Sequence, residues 1–244
     1  MVLTFRSQGF VMPVTSLQLI EAELGASPNA VWISLGWILL SAISFVLLGR
    51  LSDIFGRRWF FAGSTISALI GAIIGATAQN TNVLIAASVF LGLGSAGQLS
   101  FNYSLGELVP IRHRFAVNGV IFLFTLPFSG IGPYLARLLI VRSAAGWRGI
   151  YYLACGLHAA SAVCWVLFYH PPDFQHLHRN RTVSDELKEM DFGGIFLYIT
   201  GFFLFLLGLA WGGSVHPWTS PYVLAPLIIG FAVLVIFVLY GTLR

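Results

Sequence analysis

The sequence predicts an all-α, polytopic membrane protein, and three observations lead to that prediction. Of the 244 residues, 57% are hydrophobic and only 9% are charged, whereas soluble domains have about 25% charged residues. The mean hydropathy is +0.86, which suits a chain whose outer surface faces lipid. Seven apolar runs each reach the roughly 20 residues that an α-helix needs to cross a bilayer.

The apolar runs follow one another with mostly short connections. The stretch 9–20 is apolar but too short to span and contains Pro13, so we expect it to be the end of a truncated first helix. One longer, polar connection, 170–192, predicts a loop, and Asp191 suits the N-terminal end of the span that follows. The seven full spans are predicted at 30–49, 59–78, 83–106, 115–136, 149–169, 193–211 and 222–243.

The positive charges are concentrated in alternate connections, which predicts an orientation. The positive-inside rule places those connections in the cytoplasm, although Arg137, Arg142 and Arg148 lie on the opposite side. The net charge of +4 is therefore explained by loops, and it does not indicate nucleic-acid binding. The alternate connections contain Arg50, Arg57 and Arg58, then Arg112 and Arg114, then Arg179, Arg181 and Lys188.

The stretch 49–58, GRLSDIFGRR, lies between the first two full spans, where we expect a short turn. Gly49 lets two helices approach closely at the membrane edge, and Gly56 allows a tight turn. Asp53 is expected to cap a helix N-terminus, where the dipole is positive. Arg57 and Arg58 are expected to face the cytoplasm and pair with acids. Such a cluster can latch one conformation and release another.

Small and polar side chains form stripes along three spans. Two readings remain open for the polar stripes: hydrogen bonds between helices, or the lining of a substrate path. Gln98 and Asn102 are the best candidates for cavity groups, because an amide is costly to leave facing lipid. A small-residue stripe lets another helix approach. The stripes comprise Ser34, Trp37, Ser41 and Ser44, then Gly63, Ser67, Gly71 and Gly75, then Ser88, Ser95, Gln98 and Asn102.

No arrangement typical of catalysis is present in the sequence. We find no Ser/His/Asp set, no phosphate-binding glycine loop and no paired carboxylates within the spans. His176 and His178 have no third ligand nearby, and His158 is read as a hydrogen-bonded packing residue in preference to a proton carrier. We therefore expect no enzyme activity, no cofactor and no metal site.

The motif at 49–58 resembles the loop between the second and third helices of the major facilitator superfamily. The stretch from Glu107 through Pro110 and Arg114 resembles the companion motif between helices four and five. Gly132 and Pro133 resemble the antiporter motif, which implies a helix bend tied to antiport. Residues 146–148, GWR, resemble the outer-surface turn of proton-coupled drug exporters.

The resemblance extends along the chain and is strongest to the fungal trichothecene-efflux and siderophore-transporter branch, which has fourteen helices. It implies an N-terminal bundle at 1–169, consisting of the stump of helix 1 and helices 2–6. A cytoplasmic loop follows at 170–192, and 193–244 form the inserted helices 7 and 8. The second bundle is absent from the sequence. The arginine that the family often carries in its fourth helix is replaced by Ser88.

The resemblance implies a secondary active transporter in the plasma membrane, which moves a small organic molecule outward in exchange for protons. Asp53, Arg57 and Glu107 would form an inner gate, and Gln98, Asn102 and Asn118 would be cavity groups. Siderophore uptake and a truncated, non-transporting membrane protein are the alternatives. A seven-helix receptor is disfavoured because neither cysteine lies in a loop.

Overall fold

The computed structural model describes residues 13–14, 16–25, 27, 29–55, 57–99, 109–169, 191–213 and 215–243. No strand occurs in these ranges apart from an isolated bridge between Gly212 and His216. The helices are α1 (Leu17–Leu24), α2 (Val31–Phe55), α3 (Arg57–Ala76), α4 (Thr81–Leu99), α5 (Ile111–Arg142), α6 (Arg148–Phe168), α7 (Phe192–Trp211) and α8 (Pro221–Leu243).

The all-α prediction is confirmed, and helices α2–α8 occupy the seven predicted spans. Five of them, α3, α4, α6, α7 and α8, are long and apolar enough to cross a membrane within their described residues. In α2 the described residues include an apolar stretch at Val31–Leu47. The short helix α1 lies further along the chain than the predicted 9–20, and it ends at Gly25, whose φ is +93°.

The connection between α2 and α3 is shorter than the sequence predicts. Helix α2 continues to Phe55 and α3 begins at Arg57, and the single residue between them, 56, lies outside the described residues. The backbone of Asp53 belongs to the last turn of α2, and its side chain lies outside the described part of the structure, so the expected capping of a helix N-terminus stays a prediction. Leucine, isoleucine and phenylalanine at 51–55 continue the helix because none of them breaks it.

Helix α4 lies between α2 and α3 and contacts both along its length. A Cβ added at Gly92 would lie 2.8 Å from the carbonyl oxygen of Trp37 on α2. A Cβ added at Gly94 would lie 2.5 Å from the carbonyl oxygen of Ser64 on α3. These separations are too short for a real side chain, so the two glycines allow α4 to meet both neighbours backbone to backbone.

The predicted stripe on α3 is confirmed at three of its four positions, and it serves two different neighbours. Gly71 meets Ala87 of α4, where an added Cβ would lie 2.8 Å from the carbonyl oxygen, and Ser67 donates a hydrogen bond to the Phe90 carbonyl at 3.1 Å. Gly75 instead meets the ring of Tyr151 on α6. Gly63 faces open space, so it is not part of either contact.

Helix α6 closes the bundle against α3 at both ends. At the end that contains Arg148, the buried rings of Trp147 and Tyr151 are 6.0 Å apart, edge to face, in the main apolar core. At the opposite end, which contains Arg58, Phe61 stacks on Trp165 with ring centroids 4.8 Å apart. These ends are called the Arg148 end and the Arg58 end below.

Helices α7 and α8 form a hairpin that packs mostly on itself. Gly208 and Gly230 allow the close approach, since an added Cβ at either would lie under 3.0 Å from atoms of the other helix. The prediction for Asp191 is confirmed: its carboxylate caps α7 by accepting from the Gly194 N–H at 3.0 Å, and it also accepts from the Tyr240 hydroxyl at 3.1 Å. Most of the hairpin surface remains exposed.

The backbone contact at Gly71 predicts a strong effect of side-chain size. We expect Gly71→Leu to lower the free energy of unfolding by about 1–3 kcal/mol, because α3 and α4 must separate to admit the side chain. The control is Gly156→Leu on α6, where an added Cβ meets nothing within 4 Å. Thermal unfolding in detergent, with size-exclusion chromatography used to detect the folded fraction, measures the unfolding temperature of each variant. Equal unfolding temperatures for the two variants would contradict the packing described here.

Candidate functional site

Polar side chains bridge the helices within the apolar spans. The Ser95 hydroxyl of α4 lies 2.7 Å from the Ser41 hydroxyl of α2, and Ser41 donates to the Trp37 carbonyl at 2.6 Å. Gln98 Nε2 of α4 lies 3.4 Å from Nδ1 of His158 on α6. All four polar residues are buried. Helix α4 is therefore tied by side-chain hydrogen bonds to helices on two sides.

These contacts bear on the two readings of the polar stripes at three positions. Ser41 and Ser95 contact each other between α2 and α4, and the amide nitrogen of Gln98 contacts His158 between α4 and α6. Interhelical hydrogen bonding is thus observed at these positions, and a role of Gln98 as a cavity group stays a prediction. The interpretation of His158 as a hydrogen-bonded packing residue is also confirmed. Asn102 lies outside the described residues. Ser88 is buried and donates to the carbonyl of Ile85 in its own helix at 2.7 Å.

The residues assigned to the inner gate are only partly described. Gly49, Asp53 and Arg57 have helical backbones in α2 and α3, but their side chains lie outside the described part of the structure, as do Gly56 and Glu107 entirely. The proposed contacts among these charges therefore stay predictions.

Two arginines of the motifs contact backbone carbonyls. Arg58 donates from Nη2 to the carbonyl of Val166, near the end of α6, and its guanidinium carbon lies 5.7 Å from the Trp59 ring centroid. Arg114 donates from Nε to the Val109 carbonyl at 3.1 Å, beside Pro110, the residue that precedes α5. Arg58 thus links the start of α3 to α6 at the membrane edge.

The remaining predicted residues lie on α5, which makes its main helix contact with α6. The amide oxygen of Asn118 is shielded from solvent and has no hydrogen-bond partner in the described part of the chain. Gly132 is buried and Pro133 is exposed, and the helix runs through both to Arg142. Proline has no N–H and removes one bond from the helix, which is compatible with the predicted bend.

At the Arg148 end, one arginine joins three segments. Arg148 pairs with Glu23 of α1 at 3.0 Å, donates to the carbonyl of Ala78 after α3 at 3.0 Å, and lies 4.4 Å from the Trp147 ring centroid. Gly146, with a φ of +57°, makes the turn before it. The predicted alternation of loops requires these three segments to share one end of the bundle, and the contacts agree with it.

Comparison with known proteins decides the family. The profile described as fungal trichothecene efflux pump (TRI12) matches residues 6–243. The chain belongs to that family. It is 37% identical over 234 residues to the trichothecene efflux pump TRI12 of Trichoderma arundinaceum, and 34% identical over 228 residues to the protein of the same name from Fusarium sporotrichioides. The MFS-type transporter ucsD of Acremonium sp is 31% identical over 230 residues.

The three alignments cover 95%, 93% and 93% of this chain, but 38% of the length of each relative. The membership confirms a major facilitator-type helix bundle and an integral, multi-pass membrane protein. The branch that the motifs indicate is likewise confirmed.

Sequence reasoning missed Glu23, the acid that pairs with Arg148. The sequence did contain a signal for this pair: a carboxylate lies near the end of a short apolar stretch, on the same predicted side of the membrane as the GWR turn. It also missed the aromatic cluster of Phe61, Trp165 and Tyr169, in which the Trp165 and Tyr169 ring centroids are 5.0 Å apart. Aromatic residues are frequent in this apolar sequence, so the sequence alone does not show which rings contact each other. The contacts become visible only when the relative positions of the helices are known.

The hydroxyl pair predicts a measurable coupling between α2 and α4. In a double-mutant cycle of Ser41→Ala and Ser95→Ala, we expect a coupling free energy of about 0.6 kcal/mol and at most roughly 1.7 kcal/mol, the range found for hydrogen bonds within membranes. Unfolding in mixed detergent micelles measures it. Additive effects of the two substitutions would show that the hydroxyls do not interact.

Proposed function

We propose that this chain forms the first bundle of a secondary active transporter that moves a small organic molecule across the plasma membrane. The observation that carries the proposal is family membership over residues 6–243. Related proteins are described as efflux pumps and MFS-type transporters. We infer an outward direction, exchange for protons, and a toxin or drug-like compound as the cargo.

The packing of the described helices supports a role as a moving unit. Alternating access in this class works by rocking one bundle against another around a site near the bilayer midplane. Such rocking needs a bundle that moves as one body. The glycine contacts at Gly71, Gly92 and Gly94, with the hydrogen bonds of Ser95 and Gln98, join α2, α3, α4 and α6 in that way.

The roles proposed for the motif residues come from the resemblance of their motifs to those of the family. Asp53, Arg57 and Glu107 form an inner charge network that holds one conformation. Gln98, Asn102 and Asn118 provide polar groups to the cargo path. Gly132 and Pro133 supply the bend of α5, a helix whose surface is largely exposed and is thus free to contact a second bundle.

A second candidate function is a membrane protein that binds or interferes with longer relatives and does not transport. The chain spans 38% of the length of the two trichothecene efflux pumps that it matches. Two bundles are required for rocking, and the matched portion contains one bundle and a helix hairpin.

The gate role predicts loss of transport on neutralising Asp53. We expect Asp53→Asn in a full-length version of the transporter to reduce export to a tenth or less, because about 1.4 kcal/mol of lost latch stabilisation changes a rate tenfold. Uptake of a radiolabelled trichothecene into inside-out vesicles, driven by an imposed proton gradient, measures it. Asp185→Asn, in the predicted polar loop, is the matched control.

The vesicle assay separates the two candidates. Gradient-driven uptake by the unmodified chain that an uncoupler abolishes supports the transporter. Absence of uptake, with the chain present in the membrane, supports the non-transporting protein. Wild-type uptake by Asp53→Asn would contradict the gate role alone and leave the transporter standing.

A further inference from the structure

The short helix α1 lies over the Arg148 end of the bundle. The side chain of Ile20 is 2% exposed and belongs to the main apolar core, as does Trp147 before α6. Leu17 and Leu24 pack partly against the same core. One face of α1 therefore covers this end of the core.

The helix is too short to be stable alone. It consists of eight residues, whereas an isolated helix shorter than about 12–15 residues is marginal in water. Ser16, the residue before it, makes no side-chain cap. Gly25 ends it with a φ of +93°, and an added Cβ there would meet nothing within 4 Å. The order of α1 therefore depends on its docking to the bundle.

One ion pair adds to that docking. Glu23, on the exposed face of α1, pairs with Arg148 at the start of α6, and Nη1 lies 3.0 Å from Oε1. The two side chains are 54% and 30% exposed, respectively. Water can therefore solvate both charges when the pair opens, so that separation leaves no buried charge behind.

The distribution of acids along the sequence makes this pair specific. Of the nine acidic residues, only Glu21 and Glu23 are predicted on the side of the membrane that contains the GWR turn. Helix α6 has no acid in its first turn, so Arg148 places a cation at the positive end of its own helix dipole. Glu23 supplies the missing negative charge from another helix.

The other contacts of Arg148 do not involve α1. Its Nη2 donates to the carbonyl of Ala78, a buried residue after α3, at 3.0 Å. Its guanidinium carbon lies 4.4 Å from the centroid of the Trp147 ring. The bundle can therefore release α1 while Arg148 still links the end of α3 to the start of α6.

We propose that α1 is a strap, residues 17–24, which docks and undocks as a unit over the Arg148 end of the core. The pair of Glu23 and Arg148 favours the docked state, and Gly25 is the hinge. Undocking uncovers the part of the core that Ile20 contacts, whereas α2, α3, α4 and α6 stay packed together. The strap does not depend on transport, so its test needs no cargo.

Hydrogen–deuterium exchange of the full chain in lipid nanodiscs measures the undocking. The N–H groups of Leu19 and Ile20 bond to the Ser16 carbonyl at 3.0 Å, and that of Gly25 bonds to the Glu21 carbonyl at 2.9 Å. An undocked helix of this length loses such bonds, so its amides exchange at a rate set by the undocking equilibrium.

We expect Glu23→Gln to raise the exchange rate of a peptide covering 17–25 about twofold to fivefold, and to leave peptides covering 76–80 and 147–152 unchanged. This change corresponds to roughly 0.4–1 kcal/mol, which is within the range of exposed ion pairs. Equal increases in all three peptides would show that the pair stabilises the whole fold, and would overturn the strap. No increase at 17–25 would overturn the role of the pair.

Glu21→Gln is the matched control. It removes a carboxylate from the same helix, and among the described residues the ion pair of α1 is made by Glu23 instead. We expect exchange at 17–25 to match that of the unsubstituted chain. An increase as large as that of Glu23→Gln would show that net charge matters and the pair does not.

Salt tests the pair without a substitution. Raising the ionic strength from 0.01 M to 1 M shortens the screening length from about 30 Å to about 3 Å. We expect exchange at 17–25 to rise in the unsubstituted chain towards the rate of Glu23→Gln, and the rate of Glu23→Gln to stay constant. The same response to salt in both chains would overturn the role of the pair.

A double-mutant cycle identifies the partner. In an Arg148→Gln background, we expect Glu23→Gln to cause no further increase in exchange at 17–25. An increase as large as in the unsubstituted background would show that Glu23 acts through another residue.

Discussion

The close approach of α4 to both α2 and α3 is the constraint on which the rest of the bundle depends. In lipid there is no hydrophobic drive to hold helices together, so association relies on packing and on hydrogen bonds between helices. Gly92 and Gly94 lie two residues apart on α4 and face different neighbours. They permit backbone contact on two sides, and that contact brings the Ser95 and Gln98 side chains within reach of Ser41 and His158.

The polar groups within the bundle fall into two classes, those that hydrogen-bond to a neighbour and those that do not. Most are satisfied by their neighbours and so hold the helices in register, as Ser67 does with the Phe90 carbonyl. A few are left without a partner among the described residues, notably the buried hydroxyl of Ser44 on α2 and the amide oxygen of Asn118 on α5. In a bilayer such groups are costly to leave without a hydrogen bond.

The spans, the small-residue stripe and the buried polar face of α4 could be predicted, because hydrophobic length and helical spacing are local properties of the sequence. The continuation of α2 to Phe55 could not be predicted, since the residues 49–55 suit both a helix and a loop. The pair of Glu23 and Arg148 could not be predicted either. It joins positions 125 residues apart, and only the packing of α1 against the GWR turn brings them together. The side chains of the inner gate stay predictions.

Disulfide trapping between α2 and α4 tests the helix arrangement most directly. With Cys155 and Cys164 replaced by alanine, Ser41→Cys with Ser95→Cys should form a disulfide on mild oxidation in the membrane, because the native hydroxyls are 2.7 Å apart. Ser41→Cys with Ser88→Cys, about 10 Å further along α4, should not. Equal cross-linking of the two pairs, or none in the first, would contradict the arrangement from which the bundle and its proposed function are argued.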